Sequence, residues 1–126
     1  MLLGGLTATS SFVATVTGLN CLLTINAPTA TVVGTQLSGS GYASGGSAVT
    51  WASATGTATG GIITNTNTLS WTNNGSSTWN IVGLELWDNG GTGTRKCYGI
   101  WDGQPYQIGV GSQFVVAPSA LGLAFP

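Results

Sequence analysis

Glu85, Asp88, Arg95, Lys96 and Asp102 are the five charged side chains of this 126-residue chain, and all lie between positions 85 and 102. Residues 1–84 carry no side-chain charge, and the chain contains no histidine. The chemistry open to such a set is narrow. Glycoside hydrolysis needs two carboxyl groups across a cleft, and Glu85, Asp88 and Asp102 are the sole candidates. Asp88 and Asp102 each head a glycine-containing turn, where Asp commonly bonds the local backbone. Glu85 is expected to pair with Arg95 or Lys96. A Ser or Cys nucleophile needs a base, usually His. Two cysteines without histidine cannot close a structural zinc site, and Asp88-Asn89-Gly90 lacks the later acidic ligands of a calcium loop. Two cations make no basic patch for nucleic acid. The chain is therefore expected to be no enzyme, to hold no metal or cofactor, and to bind no nucleic acid.

The elements that must position these residues follow from composition and pattern. Gly (21), Thr (19) and Ser (12) dominate, whereas Glu, Lys and Gln are scarce. Thr favours strands, Gly and Ser favour turns, and helix formers are missing. Short strand-like segments recur: 11–17, 19–25, 31–37, 48–53, 62–72, 79–87, 95–101, 106–110, 113–117 and 121–125. Such spacing predicts an all-β, single-domain β-sandwich or jelly roll of short antiparallel strands over residues 1–126, with residues 1–10 as an N-terminal arm. The strand 79–87 is apolar on both faces and is expected to be central. Asp88 to Thr94 reads as a hairpin loop. Symmetric closure of that loop sets Trp87 opposite Arg95 and Glu85 opposite Cys97, with Glu85 and Arg95 as diagonal neighbours. The charged hairpin, 79–102, is then expected to be the part that faces water or makes a specific polar contact.

Other readings are weaker. No run reaches the roughly 18 to 20 apolar residues of a spanning helix, so no membrane partner is expected. The apolar start, Met1 to Leu6, lacks the cationic region of a signal peptide. Cys21 and Cys97 are expected to be reduced, buried thiols. The Thr-x-Thr runs at 55–59 and 64–68 are too irregular to order water and are expected to fill solvent-facing or intersubunit strand positions. The Trp residues at 51, 71, 79 and 87 fall on alternating patterns that suit core packing or a subunit interface.

Gly34-Thr35-Gln36-Leu37-Ser38-Gly39-Ser40-Gly41-Tyr42-Ala43-Ser44, followed by Val49-Thr50-Trp51, resembles a motif of small virion proteins of tailed bacteriophages. The likeness continues through Asn67 to Trp71, Val82 to Gly91, Pro105, Gly109, Gly111 and Phe114, and spans roughly residues 18–125. Those proteins are known as capsid decoration (cement), minor capsid or tail fibre proteins. The family often has Glu where this chain has Gln36 and Arg where it has Ser44. If those two pair in relatives, Gln36→Glu alone is expected to destabilise and Ser44→Arg to restore stability.

The resemblance implies a structural protein of the virion, on the capsid surface, assembled in the host cytoplasm. Its partners would be the major capsid protein and copies of itself, as a homotrimer. Tyr42, Trp51, Trp71, Trp101 and Tyr106 are the expected aromatic anchors of that interface. A tail fibre or tail-associated module that binds a host glycan through exposed aromatics is the alternative. A surface sugar-binding domain unrelated to virions would carry an oxidised Cys21–Cys97 bridge.

Overall fold

The computed structural model describes residues 7–8, 19–50 and 62–124. Among these the regular structure is strand alone, apart from one short 3-10 turn, and every strand pair is antiparallel. The strands are β1 (Thr7–Ala8), β2 (Asn20–Thr24), β3 (Ser47–Ala48), β4 (Ile62–Thr64), β5 (Leu69–Thr72), β6 (Trp79–Ile81), β7 (Gly83–Trp87), β8 (Arg95–Ile100), β9 (Tyr106–Ile108), β10 (Gln113–Val116) and β11 (Gly122–Ala124). One five-stranded sheet runs in the order β1-β8-β7-β2-β3, and three two-stranded ladders pair β10 with β5, β11 with β4 and β6 with β9. The all-β antiparallel class expected from composition is what the chain adopts, in a sandwich-like arrangement.

The inner face of the five-stranded sheet and the small ladders share one apolar core. Cys21, Leu23, Leu84, Leu86 and Cys97 come from the large sheet, and Leu69, Trp71, Trp79, Ile81, Phe114 and Val116 from the ladders. Phe114 sits at the centre of an aromatic group, with Trp101 edge-on at 5.3 Å and Tyr106 and Trp71 tilted at 5.7 and 6.1 Å.

The expected continuous strand 79–87 is two strands in two sheets. Its pivot is Val82, whose N–H donates to Thr24 O (2.9 Å) while its carbonyl accepts from Trp101 N (3.1 Å). That switch lets β6 pair with β9, and β7 lie between β2 and β8. The central position expected for this segment holds for β7. Gly83 follows the pivot, where a Cβ would stand 2.6 Å from Pro28 Cδ and 2.7 Å from Thr24 Oγ1. Only glycine lets the 25–36 segment lie so close to the sheet.

The hairpin between β7 and β8 closes where expected, but not symmetrically. Trp87 faces Arg95, and a bulge between Leu86 and Trp87 then puts Leu86 opposite Cys97 and Glu85 opposite Tyr98. The extra residue keeps Leu86 and Cys97 together on the core face. The turn is built on Asp88, whose carbonyl accepts from Gly91 N and Gly93 N (both 3.1 Å) and whose Oδ1 accepts from Thr94 N (2.6 Å).

Segment 31–37 is not the strand its sequence suggests. It returns beside β2 through the isolated bridge Thr24–Gln36. The physical reason is competition for its main-chain donors. Thr35 N donates to Asn26 Oδ1 (2.7 Å) and Gly34 N to Glu85 Oε2 (2.8 Å), so side chains take what a ladder would use. The expected strand 11–17, the loop 55–61 and, apart from Thr7–Ala8, the expected arm 1–10 lie outside the described residues. Thr7 and Ala8 themselves pair with Tyr98 and Cys97 of β8.

Candidate contact loop and the ion pair beneath it

Alternate residues of β7 serve opposite faces of the large sheet. Leu84 and Leu86 point into the core, and Glu85 points out of the other side, yet Glu85 is 1% exposed. The 25–36 segment covers it. Glu85 Oε2 accepts from Arg95 Nη1 (2.8 Å) and from Gly34 N (2.8 Å), and Oε1 accepts from Trp87 Nε1 (3.1 Å). Arg95 is buried as well. Its guanidinium donates to three carbonyls of the covering loop: Thr29 (2.6 Å), Ala30 (3.2 Å) and Val32 (3.2 Å). The same group lies 4.9 Å above the Tyr98 ring, a cation–π distance. The loop adds its own staple, with Val32 N donating to Thr29 Oγ1 and Thr29 N to Val32 O, both at 3.0 Å.

The pairing of Glu85 with Arg95 matches one of the two partners expected for it. Of the two roles expected of the charged hairpin, facing water or making a specific polar contact, this pair does not face water, because the 25–36 segment closes over it. Lys96 and Asp88 keep the exposed role, as a loose pair at 3.7 Å at the turn end of the hairpin. Asp102 sits exposed beyond the other end of β8, and its carbonyl accepts from Tyr106 Oη. The three carboxylates weighed for catalysis thus lie at separate places, Glu85 beneath the 25–36 segment, Asp88 at the hairpin turn and Asp102 beyond the far end of β8. Among the described residues, no three His, Cys, Asp or Glu side chains gather as a metal would require.

The outer side of the loop carries two exposed apolar side chains among its polar ones. Val32 is 61% and Val33 50% exposed, while the backbone between Thr29 and Gly34 is tied to buried charge. Exposed β-branched residues on a fixed turn make this loop the candidate contact surface, and sequence reasoning missed them. The usable signal was a carboxylate in the middle of an otherwise apolar strand, which must find a partner when buried.

Four of the five aromatic residues expected at an interface lie among the described residues. Tyr42, Trp71 and Trp101 are core residues, 8%, 4% and 1% exposed in the single chain. Apolar area that large is consumed by the chain's own core. Tyr42 also has an internal polar role. Its hydroxyl accepts from Leu23 N (3.2 Å) and donates to Gln36 Oε1 (2.7 Å), and burial raises its pKa. Tyr106 is partly buried against Phe114. Trp51 lies outside the described residues.

Cys21 and Cys97 are buried, unbridged thiols, each pushed up to about 12 by burial. Both are paired in register with Leu86, one from each side. Two strand spacings, about 9–10 Å, separate them, beyond the roughly 7 Å Cα limit for a disulfide. The bridge required by a sugar-binding domain of the oxidised kind is therefore geometrically closed to this fold.

No family model matches the chain, and neither a curated protein nor a solved structure does.

Proposed function

We propose that the chain is a structural, non-enzymatic packing protein of a virion shell. In this reading it decorates or cements the capsid, attaches to the major capsid protein and associates with copies of itself. The observation that carries the reading is the use made of the one buried ion pair. A buried pair adds little net stability over apolar side chains of the same size, and its best-attested use is to specify a conformation. Here the conformation specified is a surface turn bearing Val32 and Val33. A pre-organised apolar projection loses little entropy when it docks. The surroundings suit burial against neighbours, since 4% of the chain is charged, against roughly a quarter in ordinary soluble domains. The kind of partner comes from the likeness to phage decoration and minor capsid proteins.

The test substitutes Val32→Asp together with Val33→Asp in the full chain. Both side chains are exposed, so the melting temperature should stay unchanged. Particles of the virus that encodes the chain should lose it, as measured by mass spectrometry of purified virions. Particles of the unaltered virus should hold it at a copy number on the scale of the shell subunits. Full occupancy by the doubly substituted chain would overturn the contact loop, and a copy number of only a few per particle would move the chain to the tail. Attachment should be nearly insensitive to moderate salt, because no charge faces the partner at this turn.

A further inference from the structure

A groove of about 590 Å3 opens on another part of the surface, between segments 38–40 and 75–80. Its volume falls within the roughly 300–1,000 Å3 of small-molecule sites. The polar side chains on its walls are Ser38, Ser40, Ser76, Ser77, Thr78 and Asn80. None of them hydrogen-bonds through its side chain within the described residues. No charged residue lines the groove.

The base of the groove carries a second feature. Trp79 is 4% exposed as a residue, and its indole N–H makes no hydrogen bond among the described residues. Among the described residues the fully buried indole nitrogens without a partner are those of Trp71 and Trp101, whereas that of Trp79 is reached by solvent and can donate outward. Its Nε1 lies beside Gly39 on the facing wall, where a Cβ would stand 3.3 Å away. Gly39 has φ +135°, which a side chain would strain, and its missing side chain leaves the indole edge uncovered. Ile25, half exposed, and Leu37 add an apolar strip beside it.

The walls are fixed before any ligand arrives. Asn74 N donates to Ser40 O (3.0 Å), which ties one wall to the other. The fully buried Asn73 holds Ser77 O (2.8 Å) and Ile108 O (2.9 Å) through Nδ2, while its Oδ1 accepts from Gly75 N (3.0 Å).

We infer that this groove binds a neutral oligosaccharide, with the Trp79 N–H donating to a sugar oxygen at its base. Hydroxyls and a carboxamide both donate and accept, as a polyhydroxyl ligand requires. The absence of lining charge disfavours phosphate, sialic acid or any other ion. The apolar strip suits the C–H face of a pyranose ring. This site differs from a stacking platform, since the faces of Trp71 and Trp101 are in the core.

The experiment screens the full chain on an array of neutral and acidic oligosaccharides. The best binder is then titrated into 15N-labelled chain while the Trp79 indole resonance is followed, assigned by its loss in Trp79→Phe. The inference expects that resonance to move with a neutral oligosaccharide. It expects about five- to tenfold weaker binding in Trp79→Phe and in Asn80→Ala, the size of one lost hydrogen bond. Asn80 is exposed, so Asn80→Ala should keep its melting temperature and remains informative if Trp79→Phe folds poorly. Silence across the array would overturn the site. So would binding confined to acidic sugars, unaltered affinity in Asn80→Ala, or a resonance moved only by an extended uncharged peptide.

Discussion

The two faces of the β2–β7–β8 sheet are made by alternate residues of the same strands, yet they are closed by opposite means. On the inner face, Cys21, Leu86 and Cys97 form a row that packs into the core. On the outer face, the next row is Leu22, Glu85 and Tyr98, and its cover is a loop held by charge-assisted hydrogen bonds. Packing is tolerant of small change and supplies stability in proportion to area. A charged clamp is intolerant and specifies one geometry. The difference teaches that the inner face keeps the chain folded while the outer face keeps one loop in place.

The largest effect expected is on the outer face. Arg95→Ala leaves Glu85 buried without its cation, which costs about 3–5 kcal/mol when a buried pair is broken on one side. Urea denaturation should show this as a lower midpoint at nearly constant slope. On the inner face, Leu86→Ala removes a fully buried side chain and should cost about 2–5 kcal/mol, depending on how far the neighbours close the cavity. The contrast lies in rescue. A medium-sized apolar residue such as Met should largely restore position 86, whereas Arg95→Lys should not restore position 95, because an ammonium cannot match the guanidinium fork.

The thiols sharpen the inner face through pH. Their folded pKa, about 12, lies above the ordinary value of 9.0, because burial disfavours the thiolate. The raised folded value means that their contribution is fully present below about pH 9 and is lost as pH rises towards 12. Native chain at pH 8.5 should resist alkylation at both cysteines, and urea-unfolded chain should react at both.

How much of this was legible beforehand follows from the physics of each part. The strand positions on the inner face were readable because alternation of apolar side chains reports which face is buried. The β7–β8 hairpin was readable because Asp88-Asn89-Gly90-Gly91 has turn chemistry of its own. The bulge at Leu86 was not, since one extra residue leaves no mark on composition. Segment 31–37 misled because Thr-Val-Val favours strand locally, while the decisive hydrogen bonds come from Asn26 and Glu85, the latter far along the chain. The places of the aromatic residues were not readable for a related reason. Their types signal large buried area, but sequence does not say whether the chain or a partner provides the burial.

The smallest effect concerns position 36. Gln36 Oε1 accepts from Tyr42 Oη (2.7 Å) and Gly45 N (2.8 Å), two donors that a carboxylate would take equally well, and Ser44 is exposed. Gln36→Glu should change stability by less than about 1 kcal/mol, and adding Ser44→Arg should contribute no more than a surface pair. A loss of several kcal/mol, recovered by Ser44→Arg, would reinstate the coupling expected from the resemblance.

The central claim is that the buried pair positions the loop rather than supplying the fold's stability. It is tested most directly by the double substitution Glu85→Leu with Arg95→Met, followed by amide hydrogen exchange at Gly34 alongside global urea unfolding. The account predicts global stability within about 1 kcal/mol of the unaltered chain, as for buried pairs replaced by apolar side chains, with Gly34 exchanging as an open loop. Retained protection at Gly34, or a joint collapse of protection and global stability, would contradict it.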